Sequence, residues 1–425
     1  MKLVGLNISG SIVACLLACA SYANAAAPDY VDLTAQDVGV MERARPAYDA
    51  KGIPMGGFRL FPNLDTKSSY DDNVFKTSSP VSDWFFTISP TLRLQSQWGR
   101  HFLEVYGGSN VYQYATQTGQ NLADWRVGTD GRVDISRAAN VSMNTYYEHQ
   151  HELWSAPNST GFQAAPNQYF HAHAETVADY QPNRLGFGAG FAFDNYNWQT
   201  TPMIGGGKLF NEDRNQDAYH AYAKVYYDFS PGYSGYLKAS YDERDYANLF
   251  DRTGSDRSSH GYRLDGGVNV KISHLVSGEV FVGYLQQNYA QHIGVPLKDI
   301  SGFDYGLQLD WYLSPNLTMH VSGERTLEDV VLAGISSADN RRVAMGLDYE
   351  FRPNIILQLG GVYNNVAYAG SNRTDEVPGV NVGIKYLINR YASLNFAYDY
   401  GSRSSNLGAF NYHDNTASVG LSLHI

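Results

Sequence analysis

The sequence predicts an all-β fold: a transmembrane antiparallel up-and-down β-barrel of about 18 strands. Three observations predict it. Segment after segment alternates apolar and polar residues with a period of two. Tight turns built from Pro, Gly and Asn alternate with longer polar connections. One face of the strands carries more charge than a dry core could hold. The clearest unit runs from Gly302 to Thr326. Phe303, Tyr305, Leu307, Leu309, Trp311 and Leu313 alternate with Asp304, Gly306, Gln308, Asp310 and Tyr312. After Ser314-Pro315-Asn316, Leu317, Met319 and Val321 alternate with Thr318, His320, Ser322 and Glu324. Period two gives a strand two different faces, and Pro-Asn is turn chemistry.

The chain has 425 residues, with 33 Tyr, 41 Gly and a net charge of −11. That charge argues against a nucleic-acid partner, which needs basic patches. Residues 1–25 read as a secretory signal peptide: Lys2, a short apolar core from Ile12 to Leu17, and Ala23-Asn24-Ala25 for cleavage. Leu16-Leu17-Ala18-Cys19 offers a lipoprotein alternative. Both cysteines, Cys15 and Cys19, lie in this leader, so the exported chain is expected to hold together without disulfides. After it, no apolar run reaches the roughly 20 residues a spanning helix needs. An exported chain with two-faced strands and no helical span points to the Gram-negative outer membrane, where a closed barrel satisfies its backbone in lipid. Residues 26–56 are polar, with Pro28, Pro46 and Pro54, and are expected to be a periplasmic N-terminal segment, either a lead-in or a plug. Residues 57–425 are expected to form the barrel.

Along the barrel, short turns are expected near residues 99, 138, 183, 231, 274, 315, 353 and 389, with longer loops between them. Outer-membrane barrels place short turns in the periplasm and long loops outside. The strand pattern is weakest at Phe58–Phe75 and clear at Phe86–Gln95. It is also clear in the last strand, where Ala417, Val419, Leu421, Leu423 and Ile425 share a face. Between Thr326 and Val343 no strand is assigned. Trp84, Trp98, Trp125, Tyr227, Tyr241, Trp311, Tyr349, Phe351 and Tyr398 suit interfacial aromatic girdles.

The face opposite the apolar one is expected to line an aqueous lumen. It carries Arg126, Asp130, Arg132, Asp134, Tyr222, Lys224, Tyr226, Asp228, Tyr236, Lys238, Asp242, Arg263, Asp265, Asp348, Glu350, Lys385 and Asp399. Burying such a set in a soluble core would be prohibitive, whereas a barrel of about 16–18 strands holds water. A soluble propeller or sandwich is disfavoured for the same reason. The tyrosines also offer faces along which sugar rings could slide.

No catalytic, metal or cofactor site is expected. His149 and His151 alternate with the outward Val141 and Met143, whereas Glu148, Glu152, His171 and His173 face inward, so the two histidine pairs do not share a site. His320 with Ser322, and His424 with Ser422, are pairs that a barrel hydrolase could use, but no motif surrounds them.

Three stretches carry a family resemblance. They are Arg45-Pro46 through Gly56-Gly57-Phe58, Tyr70-Asp71-Asp72-Asn73-Val74-Phe75, and Ser82-Asp83-Trp84-Phe85-Phe86 through Trp98-Gly99-Arg100-His101. The chain resembles the outer-membrane β-barrel porin family associated with exopolysaccharide and capsule gene clusters. The resemblance implies a conduit for polysaccharide export, working with periplasmic polysaccharide-export proteins. A general or sugar-selective diffusion porin is the first alternative and a barrel hydrolase the second. Expected partners are outer-membrane lipid and lipopolysaccharide, the polysaccharide itself and the barrel-assembly machinery.

Overall fold

The computed structural model describes residues 38–159, 161–272, 275–290 and 294–425. The leader, both cysteines and the Ser273-His274 turn lie outside the described residues.

Eighteen antiparallel strands close into one barrel. In chain order they are β1 Phe58–Asp71, β2 Asp83–Ser96, β3 Phe102–Tyr114, β4 Leu122–Asp134, β5 Ala139–His151 and β6 Gln168–Tyr180. Next come β7 Leu185–Trp198, β8 Gln216–Ser230, β9 Tyr233–Tyr246, β10 Ser259–Ile272, β11 Val276–Tyr289 and β12 Ile300–Ser314. The last six are β13 Leu317–Leu332, β14 Ile335–Arg352, β15 Ile355–Tyr368, β16 Thr374–Asn389, β17 Ala392–Ser405 and β18 Tyr412–His424. Each strand pairs with its sequence neighbours, and β1 pairs with β18 to close the ring. A three-residue strand, Ile53–Met55, folds back on the start of β1.

Closure leaves no edge strand, though β12 and β13 part at their long-loop ends; a bilayer demands such closure of a sheet. Strands of 13 to 18 residues exceed the roughly 9–11 that cross the hydrocarbon, so they project beyond it. Their outward residues are the exposed apolar ones: Phe86, Leu92, Val127, Leu237, Leu264 and Val343 are each at least half exposed. Trp84, Trp98, Trp311 and Phe351 are exposed near strand ends, as a girdle requires, whereas Tyr398 is exposed at mid-strand. No helix among the described residues is long and apolar enough to cross a membrane.

The connections differ from expectation at one place. β13 and β14 run on to Leu332 and Ile335 and are joined by the tight turn Ala333-Gly334, with Gly334 at φ 70°. Residues 327–342 are therefore an extended hairpin at the long-loop end. Their alternation fails because Val330-Val331-Leu332 is continuously apolar. Val330, Ile335 and Ala338 pack with Val366, Tyr368 and Val377, and Leu327 packs with Leu285, Tyr289, Leu297 and Ile300.

Candidate functional site: the lumen and the segments at its two mouths

The lumen face is built by register. Arg126 pairs with Glu148 one strand over (2.7 Å) and lies 4.3 Å above the Tyr146 ring. Asn144 donates to Asp130, and Arg132 meets Asp134 at 3.2 Å. Lys224 sits 3.8 Å over Tyr236, and Lys238 4.6 Å over Tyr222. The Tyr226 hydroxyl donates to Asp179 at 2.7 Å, the Tyr236 hydroxyl to Glu279, and Gln181 to Asp228 at 2.6 Å. Arg263 lies 3.4 Å from Asp304, Arg244 3.9 Å from Asp242, and buried Asp265 is the cross-strand partner of Lys238. Lys385 lies in the field of Asp65, and Asp399 in that of Lys67. All of these point away from the exposed apolar face. The wall thus alternates cations, anions and aromatic rings.

The tyrosines lie across glycines of neighbouring strands. A Cβ built on Gly190 would stand 2.1 Å from Tyr222, one on Gly186 2.2 Å from Tyr226, and one on Gly267 2.4 Å from Tyr236. Each ring needs a neighbour without a side chain in order to lie flat on the wall.

The short-turn mouth is occupied by the chain's own residues 38–50. The Val40 amide donates to Thr318 Oγ1 at 3.0 Å, and Val40 is fully buried. Arg45 contacts Glu350 at 2.7 Å and the Val40 carbonyl at 2.7 Å; Arg43 reaches Glu350 at 3.4 Å. The His424 ring bonds to the Tyr48 backbone. Thr318, Glu350 and His424 stand on the lumen faces of β13, β14 and β18, so the segment lies inside the barrel rather than outside its rim. Glu350 is thus less a free lumen charge than the anchor for two arginines.

The long-loop mouth is crossed by the β13–β14 hairpin and by the β5–β6 loop. Arg244, on the lumen face of β9, pairs with Asp329. Four strand spacings separate β9 from β13, about 19 Å along the wall, so this contact requires the hairpin to lean inward. Arg257, from the β9–β10 loop, donates to the carbonyls of Ile335 (3.0 Å), Leu332 (3.2 Å) and Val330, and pairs with Asp251. Asn158, from the β5–β6 loop, accepts from the Val331 amide at 2.7 Å and donates to the Asp329 carbonyl at 3.3 Å. The same loop reaches another part of the wall, where Arg403 of β17 donates to the Ser155 carbonyl. Arg214 completes the set, bonded to Glu152 at 2.8 Å and stacked 3.3 Å over Trp198. On the outer side of the lean, β12 and β13 stop pairing beyond Gly306 and Glu324. Arg325 covers the gap by donating to the Phe303 carbonyl (2.8 Å) while paired with Asp339.

Asp251 lies in the β9–β10 loop. Burial pushes its carboxyl up, but the Thr253 hydroxyl, the Ser255 amide and Arg257 outweigh that and hold it below the ordinary range.

In both Ser–His pairs the structure gives a member other partners. His320 Nδ1 meets Asp310 at 2.6 Å and Nε2 meets Asp348 at 3.0 Å, which leaves no ring nitrogen for Ser322. Ser422 accepts from Asn395 at 3.0 Å. His149 packs outward against Trp125 and Phe170, as the alternation requires. His151 does not follow it: at the strand end it turns to Asp124 at 2.8 Å and against Tyr112. The acidic group Asp71, Asp72 and Asp414 already holds Lys76, 2.8 Å from Asp71 and 2.5 Å from Asp414.

A family model described as "Putative beta-barrel porin 2" matches residues 45–425. No curated protein matches the chain in sequence. Among solved structures, Pseudomonas aeruginosa OpdK, crystallised with vanillate, is 11% identical with a TM-score of 0.45, covering 86% of this chain and 99% of its own. OpdL of the same organism is 12% identical with a TM-score of 0.44, covering 87% of this chain and 100% of its own. Acinetobacter baumannii OccAB4 is 11% identical with a TM-score of 0.46, covering 86% and 98%.

Proposed function

We propose that this chain, a member of the "Putative beta-barrel porin 2" family and hence an outer-membrane β-barrel channel, is a gated conduit for export of a hydrated extracellular polysaccharide. The observation that carries the reading is the seat of residues 38–50 inside the short-turn mouth, clamped to Glu350 and Thr318. A barrel of this size left open would leak solutes when idle. A polymer conduit works only during secretion and needs a closure that can be withdrawn. In an outer-membrane barrel the short turns face the periplasm, so that closure meets the side from which an export apparatus would approach. Periplasmic polysaccharide-export proteins are the partners that would displace it. The wall supports passage of a hydrated chain: its cations are largely paired or stacked on rings, and its tyrosines offer flat faces to sugar CH groups. Membrane lipid and lipopolysaccharide would meet the outer apolar band, and the barrel-assembly machinery would insert it.

The test compares secreted polysaccharide and small-sugar uptake in cells with and without this chain. Loss of extracellular polymer with unchanged uptake is expected. Normal polymer with slowed uptake would overturn the reading and make the barrel a diffusion porin.

A further inference from the structure

The wall formed by β5, β6 and β7 holds a cluster of histidines and carboxylates. His171 and His173 are two apart on β6 and so share the lumen face. Asp194 is the direct cross-strand partner of His173, and Glu148 that of His171. One Asp194 oxygen lies 2.8 Å from His171 Nε2 and 2.7 Å from His173 Nδ1. The other His171 nitrogen, Nδ1, meets Glu148 at 2.9 Å, and Arg126 holds Glu148 in turn. Both rings are clamped: Tyr196 stacks on His171 at 4.2 Å and 8°, and Tyr146 on His173 at 4.7 Å and 22°.

Hydrogen bonding alone leaves part of this arrangement unexplained. Two imidazoles converge on a single carboxylate oxygen. His171 is 1% and His173 9% exposed, whereas the Asp194 side chain keeps 23% of its surface open. The cluster is therefore rigid on its histidine side and accessible on its carboxylate side.

We propose that this cluster is a zinc-type divalent metal site on the lumen wall. His171 Nε2, His173 Nδ1 and Asp194 supply the ligands. Glu148 orients His171 by accepting from its second nitrogen, the carboxylate–histidine–metal arrangement that fixes the tautomer of ligating histidines. Imidazole with carboxylate suits zinc, and the fourth position opens to the lumen, as in sites that keep a water or a passing ligand. Zinc bonds of about 2.0–2.2 Å place tetrahedral ligands about 3.3 Å apart. Asp194 must then retreat by about 0.5 Å, which its open side allows. The three ligand atoms already lie within 4.8 Å of one another. The site is independent of what the channel carries.

The test uses the full chain, refolded without a polyhistidine tag, with heat-modifiable gel mobility as the check on folding. Zinc retained after dialysis should reach one equivalent per chain. Cobalt(II) should give the strong visible absorption of tetrahedral coordination, a readout that needs no variant. His173→Gln and Asp194→Asn should each weaken zinc binding at least about tenfold, and Glu148→Gln by about 10–100-fold. Zinc below one equivalent, a weak octahedral cobalt spectrum, or binding unchanged in folded His173→Gln and Asp194→Asn would each overturn the proposal.

Discussion

Gly190, Gly186 and Gly267 show how a wall of this kind is specified residue by residue. Each lies beneath an aromatic ring from an adjacent strand and leaves no room for a methyl group. Gly190→Ala should therefore displace Tyr222 and destabilise the barrel by about 1–3 kcal/mol, the cost of overpacking a filled site. Urea unfolding in lipid or detergent would measure it. Gly401, where a Cβ would meet nothing within 4 Å, is the control and should tolerate alanine with little change. Asp251 makes a second prediction at this scale. Its carboxyl titrates lower in the folded loop than in the unfolded chain. The stability it contributes is thus fully present above the unfolded value, about pH 3.9, and is lost as pH falls through the folded one. Protease resistance of the β9–β10 loop should hold from neutral pH to about 4 and fall in stronger acid, while Asp251→Asn should be less resistant already at neutral pH.

At the scale of elements, the eighteen strands could be read from the sequence because water and lipid impose opposite demands on alternate residues. The short turns could be read because Pro, Gly and Asn mark them. The distal half of the β13–β14 hairpin escaped that reading for a physical reason. Both of its faces are covered, one by the wall and one by loops, so period two disappears at Val330-Val331-Leu332. A continuous apolar run in an otherwise alternating chain is the trace it leaves. Nor could its partners Arg257 and Asn158 be found by pattern, since they belong to loops whose course only the closed barrel defines. Arg257→Ala should leave three hairpin carbonyls without their donor. The expected outcome is faster amide exchange and earlier proteolysis within residues 327–340, with β1–β12 unchanged. Equal protection in the variant would mean that the apolar contacts alone hold the hairpin in place.

Across the whole molecule, chain segments reach into both ends of this barrel. The N-terminal segment was legible as polar and aperiodic, either a lead-in or a plug, but its partners were not. Arg43 and Arg45 meet Glu350 about 300 residues later, and only the ring of strands brings them together. Because one carboxylate anchors two arginines, Glu350→Ala should release the segment at both. The trypsin site at Arg43, which precedes Ala44, should then become cleavable in the folded barrel. The most direct measurement of the account is single-channel current through the reconstituted full chain, set beside Glu350→Ala combined with Arg244→Ala. The account predicts a channel that is closed for most of the record in the full chain, and long, large openings in the double variant. Equal, steady conductance in both would contradict it, because the two closures would then close nothing.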